Sequence, residues 1–391
     1  MTHPLHAASA DAAGETTKQQ ADELVLEAQL QPLADGGVET SRLLSEALRL
    51  DPSNHDAQIL LERLHQMTVP RWHFPMLADT GRNQAYAKAI AEKVKPGDVV
   101  LDIGCGAGLT AMLAARAGAK HVYTCEQQPL IAAAAKEVIA RNGLSDRITV
   151  IPKWSHDIKI GVDMPEQADV VLSEIVDTVL LGEGALATLT LAMKSLAKPG
   201  ARCIPESGML FAQPIESDSL YEVWRPQAAE GFDLSGFHHF ATVAQMTPGE
   251  FDVCNPRPLG IRAKLFDFDF TNPSMKDASI SGNLVCSEAG MVHAVLVTFE
   301  MRLTARITVG NGITAKGHWG RTAFLLKHPE AVAARDMISI TAQHDTAALS
   351  LTVDGIVAPE ATSQSDGAST TATGKHEMAA SPARVLKLAT S

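Results

Sequence analysis

An aspartate before a glycine-rich turn, and a glutamate some twenty positions later, are the first chemistry legible in this 391-residue chain. The run Val99-Val100-Leu101-Asp102-Ile103-Gly104-Cys105-Gly106-Ala107-Gly108-Leu109 reads as a strand, a turn and the start of a helix. Such a turn lets backbone N–H groups approach a ligand closely. A lone Gly-x-Gly-x-Gly, here Gly104, Gly106 and Gly108, is weak evidence by itself, since a structural turn can carry it. Asp102 sharpens the reading, because a negative charge there repels phosphate and welcomes an aminium group. Glu126 falls where the next strand ends, and an acid at that position can accept both hydroxyls of a ribose. A ligand with a ribose and an amino group but no pyrophosphate is S-adenosylmethionine.

The second constellation is Ser173-Glu174-Ile175-Val176-Asp177-Thr178-Val179-Leu180-Leu181-Gly182-Glu183-Gly184. It follows the fourth strand of the same pattern, at the carboxyl edge where open α/β sheets bind ligands. Two carboxylates on such a loop match the planar donor fork of a guanidinium. Taken alone, two glutamates on a loop are more often solvated surface charge.

The elements that must position these residues follow from periodicity. Residues 1–20 show none and read as a disordered leader, whereas 21–67 carry apolar residues at helical spacing. Pro52 ends one helix there and Asn54 offers a cap for the next, in a pattern like part of a tetratricopeptide array. Residues 68–212 contain short β-rich runs alternating with helices, which predicts a doubly wound, Rossmann-like parallel sheet. Residues 213–357 turn to alternating patterns such as Phe266 to Phe270 and His293 to Met301, which predict an antiparallel β-barrel or sandwich. Residues 358–391 are rich in Ala, Ser and Thr and read as a disordered tail.

Composition narrows the function. The formal charge of −12 and an aromatic content of 5% argue against a nucleic-acid-binding surface and favour cationic partners. No apolar run reaches the ~20 residues a membrane span requires, and the N-terminus lacks the pattern of a signal peptide. Five dispersed cysteines without CxxC spacing fit reduced cytoplasmic thiols and neither a zinc site nor a disulfide frame.

Four motifs in order, between about Arg71 and Val353, resemble the protein arginine methyltransferases. Glu174 and Glu183 resemble that family's double-glutamate loop, and Gly317-His318-Trp319-Gly320-Arg321-Thr322 its Thr-His-Trp loop, with Gly317 in place of the threonine. His73 through Asp79, with Arg82 and Tyr86, looks like the helical segment that covers the cofactor. The stretch from Glu174 to Leu186 is most similar to the type 7, monomethylating branch. The resemblance implies that Arg82 pairs with the cofactor's carboxylate, with His73 and Met76 beside it. It implies that Asp102 and the glycine turn hold the amino-acid end, Glu126 the ribose, and Ser155 and His156 the adenine. Glu174 and Glu183 would grip the substrate arginine with Trp319 adjoining, and His318 would bond Asp79 in handling the departing proton. An arm over residues 217–251 implies a homodimer, and the acidic chain suits a basic, arginine-containing protein or peptide. Two other readings share these residues: a methyltransferase for a small guanidino or amine compound, and a helical-repeat interaction protein of weak activity.

Overall fold

The computed structural model describes residues 5–358. Helical periodicity builds α1 (Leu5–Leu30), α2 (Val38–Leu50) and α3 (His55–Thr68). Ala21, Val25 and Ala28 of α1 close against Leu43, Leu44 and Ala47 of α2 and Ala57 of α3. Asn54 caps α3 as expected, accepting the Ala57 N–H at 2.9 Å. α1 begins at Leu5, inside the stretch expected as a leader. Its Ala, Gln and Lys residues have high helix propensity without apolar periodicity, so propensity carries the helix where pattern is silent. Residues 1–4 and the expected tail from 359 onward lie outside the described residues.

Two further helices, α4 (His73–Ala78) and α5 (Thr80–Lys93), lead into the sheet. Its strands are β1 (Val99–Ile103), β2 (His121–Cys125), β3 (Ile148–Ile151), β4 (Ala168–Ser173) and β5 (Ala197–Ile204). They pair in parallel in the order β3-β2-β1-β4-β5. β1 is buried along its whole length, as a central strand covered on both faces must be. The chain leaves β1 toward β2 on one side, and β4 returns on the other. The carboxyl end of β1 is therefore a switch point, where such sheets open a crevice. α6 (Leu109–Arg116) follows β1 and α7 (Pro129–Arg141) follows β2.

The described residues fall into two units, one drawn from the residues up to Ile175, Leu191–Pro205 and Leu303–Ile307, the other from Val176–Thr190, Glu206–Arg302 and the residues from Thr308 onward. The second unit is antiparallel. Its larger sheet runs Arg257–Pro258, Ser207–Glu216, Gly290–Thr304, Arg321–Val332, Val243–Met246, with Ala263–Asp269 also on Ser207–Glu216 and Ile307–Gly310 on Gly290–Thr304. Ala278–Val285, Met337–His344 and Leu349–Val357 form a second sheet. The barrel alternative is not adopted: the larger sheet stays open, and its terminal strands, of two and four residues, are too short to close a ladder. Ile215, Ala294, Leu296 and Ala323 of that sheet bury against Leu220 and Phe251. The latter two lie on the short helices Asp218–Trp224 and Pro248–Cys254, which the reading of residues 213–357 as alternating β pattern passes over. Each has a local cap, from Ser217 and from a Thr247–Glu250 capping box.

Candidate active site

The turn after β1 is built on left-handed backbone. Gly104, Gly106 and Gly108 have φ of +85°, +48° and +81°. A Cβ on Gly104 would also sit 2.8 Å from Ile175 Cγ2. The Gly104 and Cys105 N–H groups both donate to the Cys125 carbonyl, at 3.1 and 2.9 Å, which pins the turn to the end of β2. There Glu126 accepts the Gly106 N–H at 3.1 Å and the Gln128 N–H at 3.0 Å. Asp102 is 1% exposed and accepts the Thr124 hydroxyl at 2.7 Å. Burial pushes its carboxyl up to about 7, against the lowering effect of the Thr124 and Thr110 hydroxyls and of Arg82. Burial likewise pushes the Cys105 and Cys125 thiols up to about 12, so both stay protonated and unreactive.

α4 and α5 bring the next group of residues. His73 is buried, bonds the Pro70 carbonyl through Nδ1 at 2.9 Å and stacks on Trp72 with centroids 4.0 Å apart. Its Cδ2 lies 3.8 Å from where a Gly106 Cβ would stand, so the start of α4 faces the turn. Met76 is buried on the same short helix. Asp79 caps α5 by accepting the Arg82 N–H at 2.9 Å. The Arg82 side chain, 5% exposed, forms an ion pair with Glu174, 6% exposed at the end of β4. Its guanidinium lies 5.0 Å from the Tyr86 ring centre, and Tyr86 donates its hydroxyl to the Ser173 carbonyl at 3.2 Å. The Arg82 Nε is buried with no hydrogen-bond partner. Ser155 and His156 lie on a short turn of helix after β3, Ser155 buried and its hydroxyl 3.4 Å from His156 Nδ1.

Glu183, His318 and Trp319 belong to the second unit, whereas Glu174 and Asp79 belong to the first. Glu183 is exposed and lies just before the helix Ala185–Leu191. The loop that carries it holds Leu180 at φ +73° although that side chain is fully buried. A non-glycine residue there stores strain of about 1 kcal/mol, sustained only where packing fixes it. Trp319 is 6% exposed, 4.2 Å from the His318 ring and edge-on to Phe299 at 5.4 Å. Sequence reasoning misses Asn311 and gives Arg321 no role, yet both are buried beside this loop. The only signal at Asn311 is a Gly-Asn-Gly run, which reads as a turn.

Two family models match. One, described as ribosomal protein L11 methyltransferase, covers residues 84–224, and the arginine methyltransferase oligomerization subdomain covers residues 206–353. The chain is 37% identical over 306 residues to an arginine N(omega)-methyltransferase of Streptomyces achromogenes subsp. streptozoticus, covering 77% of this chain and 83% of that protein. It is 28% identical over 322 residues to protein arginine N-methyltransferase 7 of Danio rerio, covering 72% of this chain and 45% of that protein. It therefore spans less than half of that animal relative. Among solved structures, the Trypanosoma brucei PRMT1 enzyme–prozyme heterotetrameric complex with AdoHcy aligns with a TM-score of 0.60 at 23% identity, over 69% of this chain and 86% of that one. Arabidopsis thaliana protein arginine methyltransferase 10 aligns with a TM-score of 0.58 at 21% identity, over 68% of this chain and 86% of that one. The fold is thus shared with these two, and the chain belongs to the protein arginine methyltransferase family.

Proposed function

We propose that this chain transfers a methyl group from S-adenosylmethionine to a guanidino nitrogen of arginine in a protein or peptide. One observation carries the reading: the buried Glu174 carboxylate, at the edge of the sheet's switch point, already binds a guanidinium, that of Arg82. The donor set fits the cofactor. Asp102 is a buried acid with only hydroxyl partners of its own, and an aminium would complete it. Glu126 holds the turn through single N–H bonds, which leaves lone pairs for ribose hydroxyls. The unpartnered Nε of Arg82 gives that side chain a donor to spend on a carboxylate. His73 and Met76 would cover the amino-acid end, and Ser155 and His156 would meet the adenine.

S-adenosylmethionine supplies a methyl group on a sulfonium, so the protein's task is orientation. A guanidinium is a poor nucleophile, being a cation with delocalised lone pairs. Glu174 and Glu183 would fix its plane and draw positive charge toward the nitrogens they bind, which leaves the nitrogen facing the methyl group richer in electrons. They also offset the repulsion between two adjacent cations. Trp319 would wall the arginine, and His318 with Asp79 would take part in removing the proton lost by the methylated nitrogen. Asp177 and Thr178 stand between the two glutamates, as in the type 7 branch, and favour monomethylarginine. The exposed Phe232, Phe237 and Phe240 lie on the expected arm and support a homodimer, as does the match to an oligomerization subdomain. Sedimentation equilibrium returning only monomer excludes the dimer. Among the described residues no helix is long and apolar enough to cross a membrane. We infer a cytoplasmic location from the five cysteines, all free and buried.

A second reading is favoured by the Streptomyces relative, whose name specifies arginine and not protein arginine. Methyl-labelled cofactor offered with an arginine-rich peptide and with free arginine separates the two. Label in the peptide supports the first reading, label confined to free arginine the second, and label in neither rejects both.

A further inference from the structure

Asn311 is 1% exposed and spends every hydrogen-bonding group of its amide. Its Oδ1 accepts the Phe299 N–H at 2.7 Å, and its Nδ2 donates to the carbonyls of Thr178 and Gly320, each at 2.9 Å. Thr178 lies on the loop that carries Glu183, and Gly320 directly follows His318 and Trp319. Phe299 belongs to the strand Gly290–Thr304, and its ring meets Trp319 edge-on. A second tie joins the same pieces, the Thr178 and Thr322 hydroxyls being 2.7 Å apart. Arg321 closes the far side by donating to the carbonyls of Trp319 at 2.7 Å, Gly312 at 3.1 Å and Ala315. The segment so held contains Gly312, Gly317 and Gly320, so its backbone has little stiffness of its own. Neither loop can shift against the other without stranding a buried carbonyl or N–H group, which is costly.

We propose that Asn311 is a positioning residue that fixes the glutamate loop and the His318–Trp319 loop as one body. The proposal rests on the reading that Glu183, His318 and Trp319 act on the substrate arginine. Asn311 touches neither substrate nor cofactor. Its removal should therefore misplace catalytic groups while leaving the cofactor turn, in the other unit, as it was.

The test uses the full chain labelled with 5-fluorotryptophan, with the Trp319 resonance assigned by Trp319→Phe. For Asn311→Ala the expected result is a fall in kcat of about 100-fold on an arginine-rich peptide, the scale of an ångström-sized misplacement. KM should stay within ~3-fold, S-adenosylhomocysteine affinity within ~2-fold, and the Trp319 fluorine line should broaden. Thr178→Val, which removes only the hydroxyl tie, should lower kcat ~10-fold with the same pattern. If Asn311→Ala does not fold, Asn311→Ser, which keeps a small polar side chain but loses both Nδ2 bonds, decides in its place. The proposal is overturned if kcat survives, or if cofactor affinity falls in step with kcat. Should the wild type methylate no arginine, the functional reading fails separately. The fluorine spectra then judge the tie, and an unchanged Trp319 line in the folded variants rejects it.

Discussion

The pH dependence of cofactor affinity follows from Asp102. Its carboxyl, raised to about 7 from an ordinary 3.8, is about one-tenth ionised at pH 6 and nine-tenths at pH 8. If the ionised form holds the aminium, S-adenosylhomocysteine should bind roughly ten-fold more tightly at pH 8 than at pH 6, on the order of 1 kcal/mol. Binding at pH 7 should release about half a proton per ligand. Calorimetric titration in two buffers of different ionisation enthalpy measures both quantities. Asp102→Asn retains the site's histidines, so the difference between its profile and the wild type's isolates the carboxyl. Stability of the ligand-free chain runs the other way. The native state holds this proton between pH 4 and 7 where the unfolded chain has lost it, so stability falls as pH rises through that window and then levels. The whole effect is at most about 4 kcal/mol. A flat affinity between pH 6 and 8, or one that strengthens toward pH 6, refutes the reasoning.

Two other substitutions probe the site. Glu174→Gln and Glu183→Gln should each abolish measurable peptide methylation, and Glu174→Gln strands the buried Arg82 guanidinium, at a cost of about 3–5 kcal/mol. Melting curves should therefore drop for Glu174→Gln and stay near wild type for the exposed Glu183→Gln; equal losses contradict the assignment. Gly104→Ala combines φ +85° with a 2.8 Å approach to Ile175, and should destabilise by roughly 1–3 kcal/mol and weaken S-adenosylhomocysteine binding. An unchanged denaturant midpoint counts against that reading of the turn.

What the sequence disclosed was local. Asp102, the glycine turn and Glu126 are legible because a strand, a turn and a strand end fix their positions within some 25 residues. Asn54 is legible as a cap for the same reason. The ion pair between Arg82 and Glu174 joins residues 92 apart, and no spacing announces it. Asn311 and Arg321 are invisible in the same way: a polar side chain next to glycines reads as turn chemistry until the strand and loops around it close. β5 escapes because its alternation is weak, with exposed Pro199 and Gly200 in its middle. The first part of α1, Leu5 to Gln20, escapes because helix propensity without an apolar stripe gives no period to detect. The open sheet of the second unit depends on the length of its edge strands, a property of pairing rather than pattern.

The central claim is that the methyl group lands on a guanidino nitrogen of arginine. Fragmentation mass spectrometry of an arginine-rich peptide incubated with the pure chain and methyl-labelled cofactor tests it most directly. The account predicts a single labelled methyl on an ω-nitrogen, absent when that arginine is lysine and absent with Glu183→Gln. Label on another residue type, or undiminished labelling by Glu183→Gln, contradicts it; predominant dimethylation overturns the product assignment.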